Sequence, residues 1–189
     1  MSIVKDTLTI VLRIVEIIVF IGTINVIVYV LFLTPTPVLE TSMEPTLKSD
    51  EHVIVSKITY KLRSPERGDI VSIISPYNSK STFIKRIVGL PTDVIVIRDH
   101  ELYVNDILLP WYSLDKSTIN YQGKTISEGT PFTVPPGHIF VLSDQETSVD
   151  SRAFGPVPFS SIDGVAVFRF FPLNKIGFII NPFPKHFRK

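Results

Sequence analysis

The run IVEIIVFIGTINVIVYVLFL, residues 14–33, divides the chain into two parts of different character. Its strongly polar residues are Glu16, near its start, and Asn25. Twenty residues in an α-helix rise about 30 Å, the thickness of the hydrocarbon core of a bilayer. A cleavable export signal would have a shorter apolar region followed by small residues, whereas this run ends in FLTP at residues 32–35. Because apolar residues cover all faces, a transmembrane anchor is predicted in preference to a buried amphipathic helix.

The charges that flank this run predict its orientation. Lys5 and Arg13 precede it, and the next basic residue is Lys48. Since short cytoplasmic flanks carry an excess of Lys and Arg, residues 1–13 are predicted to lie in the cytoplasm. Residues 14–33 would then cross the cell (plasma) membrane once, in contact with its lipid bilayer, and residues 34–189 would form an extracytoplasmic domain.

Beyond Pro35 and Pro37, which cannot continue a helix, the apolar pattern changes from continuous to period two. This alternation is typical of half-buried strands. The predicted strands are His52–Ser56, Asp69–Ile74, Thr82–Val88, Asp93–Arg98, Glu101–Val104, His138–Leu142 and Gly164–Phe171. The predicted fold is therefore mostly β, with an N-terminal transmembrane helix followed by a β domain.

One part of the β domain lacks this alternation. The stretch Pro110–Pro131 is polar and without periodicity, which indicates an exposed excursion. Asp99-His100 can join two strands in a hairpin just before it. The excursion, a β-hairpin or loop, is predicted to occupy about residues 98–133.

Composition excludes several classes of function. The 189 residues carry a formal net charge of +1, and no segment collects Lys and Arg, so no nucleic-acid partner is predicted. The chain has no cysteine, which excludes disulfides, thiolate catalysis and Cys-based metal sites. Its four histidines are far apart in sequence and show no metal-ligand spacing. Neither a metal nor a cofactor is predicted.

Two residues stand out for their chemistry. Lys85 alternates with Phe83 and Ile87 on one face of a predicted strand, where burial would lower the pKa of its amine and leave it neutral. A neutral amine can accept a proton from a serine hydroxyl; the alternative is an edge-strand lysine whose ammonium reaches water. Ser42 precedes a Met-Glu-Pro turn, where a serine can be a nucleophile or simply a turn former. From these residues alone a Ser-His-Asp triad also stays open.

Three segments, in this order, resemble the boxes of bacterial type I signal peptidases, a family of Ser/Lys-dyad serine proteases. These boxes are Ser-Met-x-Pro-Thr, Lys-Arg-x-x-Gly, and Ser-x-Asp-Ser-Arg followed by Gly, matched here by Ser42–Thr46, Lys85–Gly89 and Ser148–Gly155. The resemblance runs from about residue 38 to residue 168 and implies a signal-peptidase-like β domain. It implies a membrane-bound serine endopeptidase that cleaves signal peptides from exported preproteins, with Ser42 as nucleophile and Lys85 as general base.

The resemblance also implies roles for neighbouring residues. Ser148 would hydrogen-bond the lysine amine and orient it, and an ion pair between Asp150 and Arg152 would hold the Ser148 loop. The backbone N–H of Ser42 would help to stabilise the oxyanion. Four residues would shape pockets for small side chains at the first and third positions before the cut: Met43, Leu47, Phe83 and Ile84.

The chain departs from the family pattern at two places. Glu40 stands where many members have a serine whose hydroxyl completes the oxyanion hole. The loop Ser143–Thr147 replaces Gly-Asp-Asn-Arg and two further residues, and it is one residue shorter. Two other functions therefore remain open: a specialised maturation peptidase for pilin-like or conjugative substrates, and an inactive membrane-anchored relative that binds exported segments. Self-cleaving repressor-type proteases share the chemistry, but they lack the anchor predicted here.

Overall fold

The computed structural model of the chain describes residues 2–113, 125–145 and 148–189. It consists of two compact units, Met1–Thr34 and Pro35–Lys189. The predicted division into a cytoplasmic segment (residues 1–13), a transmembrane anchor (14–33) and an extracytoplasmic domain (34–189) stays a prediction.

The first unit is a long apolar helix. This helix, α1, extends over Ser2–Phe32 and so begins well before the predicted run. Its segment Thr7–Ile27 has a mean hydropathy of 2.3 and is long and apolar enough to cross a membrane. The side chains of this segment are exposed, including that of Phe20 at 64%. So large an exposed apolar surface is unfavourable in water and suits a lipid environment.

Several of the described polar side chains of α1 have partners within the helix itself. Thr23 Oγ1 and Asn25 Nδ2 each donate to a backbone carbonyl one turn earlier, at 2.8 and 2.9 Å. The Arg13 guanidinium pairs with the Glu16 carboxylate at 3.0 Å. These hydrogen bonds lower the free-energy cost of transferring the polar groups of α1 into an apolar medium.

The second unit is mostly β, as predicted. Its β-branched and aromatic residues suit pleated, half-buried strands. Within the described residues the strands are β1 Leu33–Pro37, β2 His52–Ser56, β3 Ile70–Ile74, β4 Thr82–Gly89, β5 Val94–Arg98, β6 Glu101–Val104, β7 Ile107–Ser113, β8 Phe132–Thr133, β9 His138–Leu142, β10 Val157–Pro158, β11 Ile162–Phe171 and β12 Gly177–Phe178. Two four-residue helices accompany them, α2 Thr59–Leu62 and α3 Ser151–Phe154.

The larger of two sheets places β4 in its interior. The strand order is β1-β2-β11-β3-β4-β9-β10, with β12 paired to β11. On one side Lys85 of β4 lies opposite Val71 of β3, and on the other Arg86 lies opposite Leu142 of β9; both pairings are antiparallel. The edge-strand alternative for Lys85 is therefore wrong, because β4 has a neighbour on each side.

The smaller sheet has the order β7-β6-β5-β8 and is built from two tight hairpins. Asp99 and His100, both with positive φ, join β5 to β6 as predicted. Asn105 and Asp106, also with positive φ, join β6 to β7. Two central residues in this conformation match the twist of the flanking strands.

The second hairpin corrects part of the predicted excursion. The strand β7 runs into Pro110–Pro131, which was expected to be irregular. Period-two reasoning missed it because Ile107-Leu108-Leu109 shows no alternation. Residues 114–124 of the predicted excursion lie outside the described residues, and Ile126, further along, is buried at 5% exposure.

Candidate active site

Ser42 lies in a single 3-10 turn formed by Thr41–Met43. Its carbonyl oxygen accepts a hydrogen bond from the Gln145 N–H at 3.0 Å, and the residue is 4% exposed. The following Met43 and Leu47 belong to a buried apolar cluster. This cluster anchors the turn from within, so that the backbone around the Ser42 hydroxyl is held from two directions.

Lys85 is buried in the interior of the larger sheet. It is 1% exposed, and its Nζ lies 5.5 Å from the centroid of the Phe83 ring. Burial lowers the pKa of the Lys85 amine, because the charged form loses its hydration; the negative charges of Asp150 and Glu40 oppose this and raise it in part. The predicted desolvation of this amine is thus found in the structure.

The hydrogen-bond partner of this amine differs from the predicted one. Lys85 Nζ donates to Ser143 Oγ at 2.9 Å, whereas Ser148 was expected in this contact. Ser148 instead lies on the wall of the cavity that Lys85 borders. The sheet register explains the contact, since Arg86 pairs with Leu142 and the next pair along the strands brings Ser143 opposite Lys85.

A buried ion pair fixes the segment that carries these serines. Arg152 binds the Asp150 carboxylate through two nitrogens, at 2.8 and 2.7 Å, which is the pairing that the resemblance implied. The same carboxylate accepts the Ser143 N–H at 3.0 Å. Arg152 Nη2 also donates to the Ser148 carbonyl at 3.3 Å. The pair therefore holds both Ser143 and the loop of Ser148.

A second ion pair lies on the lysine strand, and its arginine also contacts the segment that follows the Ser42 turn. Arg86 binds Asp144 through two nitrogens, at 2.8 and 2.6 Å. Its Nη2 also donates to Thr46 Oγ1 at 3.1 Å. Asp144 thus joins the segment after β9 to the lysine strand, although it lines neither cavity.

Two cavities adjoin Ser42. The first, of about 550 Å³, contains both Ser42 and Lys85 in its wall; its lining consists of Leu39, Glu40, Thr41, Ser42, Tyr77, Phe83, Lys85, Ser148 and Val149. The second, of about 360 Å³, is lined by Thr36, Pro37, Val38, Leu39, Glu40, Ser42, Ser81, Thr82, Phe83 and Ile84. A serine hydroxyl and a desolvated amine thus border one space large enough for a peptide segment.

The four predicted pocket residues separate into two groups. Phe83 and Ile84 line the cavities, and their contact with substrate stays a prediction. Met43 and Leu47 are 0% and 1% exposed and pack into the core. Met43 belongs to the 3-10 turn and Leu47 follows it, and both face the buried cluster. The exposed Glu40 lines both cavities.

No histidine is found among the described residues that line the two cavities. His52 packs against the rings of Phe170 and Phe171, at centroid distances of 5.6 and 5.4 Å. His138 Nδ1 lies 3.0 Å from a backbone carbonyl two residues earlier. Among the described residues that line the cavities beside Ser42, the basic side chain is the Lys85 amine.

The predicted absence of a metal stays a prediction. Among residues 2–113, 125–145 and 148–189, no group of three or more His, Asp or Glu side chains is placed to hold a metal ion.

Comparison with known proteins identifies relatives of the chain. The family model described as "Signal peptidase, peptidase S26" matches residues 11–171. A thylakoidal processing peptidase of Arabidopsis thaliana is 37% identical over 153 residues, which cover 75% of this chain and 43% of that protein. A probable signal peptidase I of Synechocystis is 37% identical over 144 residues, covering 73% and 63%. Signal peptidase IB of Staphylococcus aureus is 35% identical over 161 residues, covering 79% and 83%.

The chain thus spans less than two thirds of the Arabidopsis and Synechocystis relatives, and most of the Staphylococcus one. Among solved structures, a signal peptidase I from Enterococcus faecalis is 34% identical, and the match covers 55% of this chain and 97% of that one with a TM-score of 0.40.

Proposed function

The chain belongs to the signal peptidase family, peptidase S26, and we propose that it is a membrane-bound serine endopeptidase that removes N-terminal signal peptides from exported preproteins. One observation carries the proposed chemistry: the Lys85 amine, 1% exposed, borders the same cavity as Ser42. Only a neutral amine can take a proton from serine, and burial favours that form.

In the proposed mechanism the Lys85 amine accepts the Ser42 hydroxyl proton while Ser42 Oγ bonds to the scissile carbonyl carbon. The resulting ammonium gives this proton to the leaving amine, the C–N bond breaks, and an acyl-enzyme remains. Lys85 then takes a proton from water as the water oxygen attacks the acyl carbon, and the proton passes to the departing Ser42 oxygen. No metal or cofactor takes part in these steps.

The surrounding residues support this chemistry without touching the reacting bond. The Ser42 N–H is the proposed oxyanion donor. Asp150 and Arg152 hold the segment that reaches Lys85, and Ser148 contributes to the cavity wall. Phe83 and Ile84 are the proposed walls of the substrate pockets.

The anchor places enzyme and substrate in the same medium. In this proposal α1 crosses the cell membrane once, with the N-terminus in the cytoplasm, because Lys5 and Arg13 precede the apolar run of residues 14–33. A signal peptide in the same bilayer meets the enzyme by lateral diffusion. Confinement of both partners raises their effective concentration without any additional contact.

The full chain in detergent is expected to cut a preprotein after a small-x-small motif. The masses of the products would locate the cut. A matched preprotein with phenylalanine at the first position before the cut should react at least about tenfold more slowly, because the added volume must displace the pocket wall. A chain that binds the preprotein without cutting it would instead be the inactive relative. Cutting restricted to pilin-like substrates would point to the specialised maturation peptidase.

Replacing Glu40 by serine is expected to maintain kcat/KM or to raise it up to about fivefold. The exposed carboxylate borders the cavity, where it repels a developing oxyanion and raises the pKa of Lys85. Its removal should also move the acidic limb of the pH profile of kcat/KM to lower pH. Glu128→Ser, at an exposed carboxylate outside both cavities, is the control. A large loss of rate in Glu40→Ser alone would assign the carboxylate a positive role.

A further inference from the structure

We infer that Ser143 is the positioning residue of the general base: its hydroxyl oxygen holds the Lys85 amine in place for proton transfer. The inference rests on the proposed function, and it departs from the role that the sequence assigned to Ser148. Lys85 Nζ and Ser143 Oγ are 2.9 Å apart, and each residue is 1% exposed.

A contact at this depth matters because a lysine side chain is long and flexible. Four torsions separate its amine from the backbone, and fixing them costs entropy that a buried hydrogen bond offsets. A neutral amine has two N–H groups and one lone pair. When one N–H donates to Ser143 Oγ, the lone pair stays available to accept the proton of Ser42.

Ser143 is itself held rigidly. It directly follows β9, its N–H donates to the Asp150 carboxylate at 3.0 Å, and Asp150 is 0% exposed. The next residue, Asp144, is bound by Arg86 of the lysine strand. The acceptor oxygen is therefore attached to a backbone that is fixed on both sides, as a positioning group requires.

Ser148 is placed differently. It is partly exposed, and its described hydrogen bonds are made by its backbone: its N–H donates to the Gln145 carbonyl at 3.3 Å, and its carbonyl accepts from Arg152. Its place in the cavity wall suits contact with a substrate. The two serines of this segment thus have different roles: Ser143 binds the Lys85 amine, and Ser148 lines the cavity.

The hydroxyl also affects the proton affinity of the amine. An ammonium donates a stronger hydrogen bond than a neutral amine does, so an acceptor at 2.9 Å favours the charged form and raises the pKa of Lys85. Removal of the hydroxyl should therefore lower this pKa further below its ordinary value. A residue with a merely structural role would not change it in this direction.

The test is a titration of Lys85 in the full chain in detergent, observed by NMR with ¹³C at the lysine Cε and assigned through Lys85→Arg. In Ser143→Ala the midpoint should fall relative to wild type, and in Ser143→Thr, which keeps a hydroxyl, it should stay near the wild-type value. Should Ser143→Ala not fold, Ser143→Cys removes the oxygen with little change of volume, and its midpoint should fall likewise. Ser72→Ala, which removes a buried hydroxyl in β3, should leave the midpoint unchanged.

Cleavage of the preprotein provides the second readout. Ser143→Ala should lower kcat about 10- to 100-fold with KM little changed, since a misplaced base slows chemistry and not binding. The acidic limb of kcat/KM should move to lower pH, in step with the NMR midpoint. Equal midpoints in wild type and Ser143→Ala would overturn the inference, as would a lower midpoint in Ser148→Ala alone. A wild-type chain that cuts nothing while its midpoint depends on Ser143 would remove the proposed function and leave the contact established.

Discussion

Ser42→Ala is expected to lower kcat for preprotein cleavage by about 10⁴-fold or more, because the variant lacks the oxygen that forms the proposed acyl-enzyme. The substitution removes one oxygen and leaves the turn intact. The Ser42 carbonyl still accepts from Gln145, and Met43 still packs into the core. Binding of the preprotein should therefore persist, which an inhibition assay against wild type would measure.

Ser160→Ala is the matched control for this substitution. Ser160 is also the central residue of a three-residue 3-10 turn, Phe159–Ser161, but it is exposed and lies outside both cavities. Its replacement should leave kcat unchanged. Turnover in Ser42→Ala at the wild-type rate would show that Ser42 is not the nucleophile.

Lys85→Met and Lys85→Arg are expected to lower kcat to a similar degree. Methionine fills the buried space but has no basic nitrogen, and a guanidinium stays charged and cannot accept the proton. The Lys57→Met control removes a partly exposed lysine that pairs with Asp163, and it should retain activity. If Lys85→Met cleaved the preprotein normally, another group would have to be the base.

The same substitution should change how stability depends on pH. Because the pKa of Lys85 is lowered in the folded state, the folded protein binds fewer protons than the unfolded chain at pH values between this pKa and the ordinary lysine pKa of about 10.4. In that window the free energy of unfolding of the wild type rises with pH and falls as pH decreases. The Tm of wild type minus that of Lys85→Met should therefore increase with pH through the window; a constant difference would contradict the lowered pKa.

The sequence predicted the elements whose pattern is local. Phe83, Lys85 and Ile87 alternate along one strand; this alternation indicated that the Lys85 amine could be desolvated, but it left an edge-strand lysine as the alternative. The apolar run likewise predicted α1, although the helix begins earlier, at Ser2. The roles of Ser42 and Lys85 in catalysis were taken from the resemblance, and they remain proposals that the substitutions above test.

Features that depend on pairing between distant segments were missed. Ser143 reaches Lys85 only because β4 pairs with β9 in this register. The two residues are 58 positions apart in the sequence. A serine directly after a predicted strand gives no local sign of such a contact. Had the pairing of Arg86 with Leu142 been known, the neighbouring pair would have indicated it.

The inward direction of Met43 and Leu47 was missed for a similar reason. The resemblance implied that both residues shape the substrate pockets, but Met43 at the end of the 3-10 turn and Leu47 after it both pack into one buried apolar cluster. Burial of Met43 at 0% exposure fixes the turn, and this is a packing role that the motif itself does not reveal.

In the segment Ser143–Gln145, each of the three consecutive residues contacts a different partner. Ser143 binds the Lys85 amine, Asp144 binds the Arg86 guanidinium, and the Gln145 N–H binds the Ser42 carbonyl. Adjacent Cα atoms are about 3.8 Å apart, which exceeds the tolerance of any hydrogen bond. An inserted or deleted codon within this triplet would therefore separate at least one partner. We therefore expect insertions and deletions in this loop to be tolerated only after Gln145, and the triplet to tolerate substitutions but no change of length.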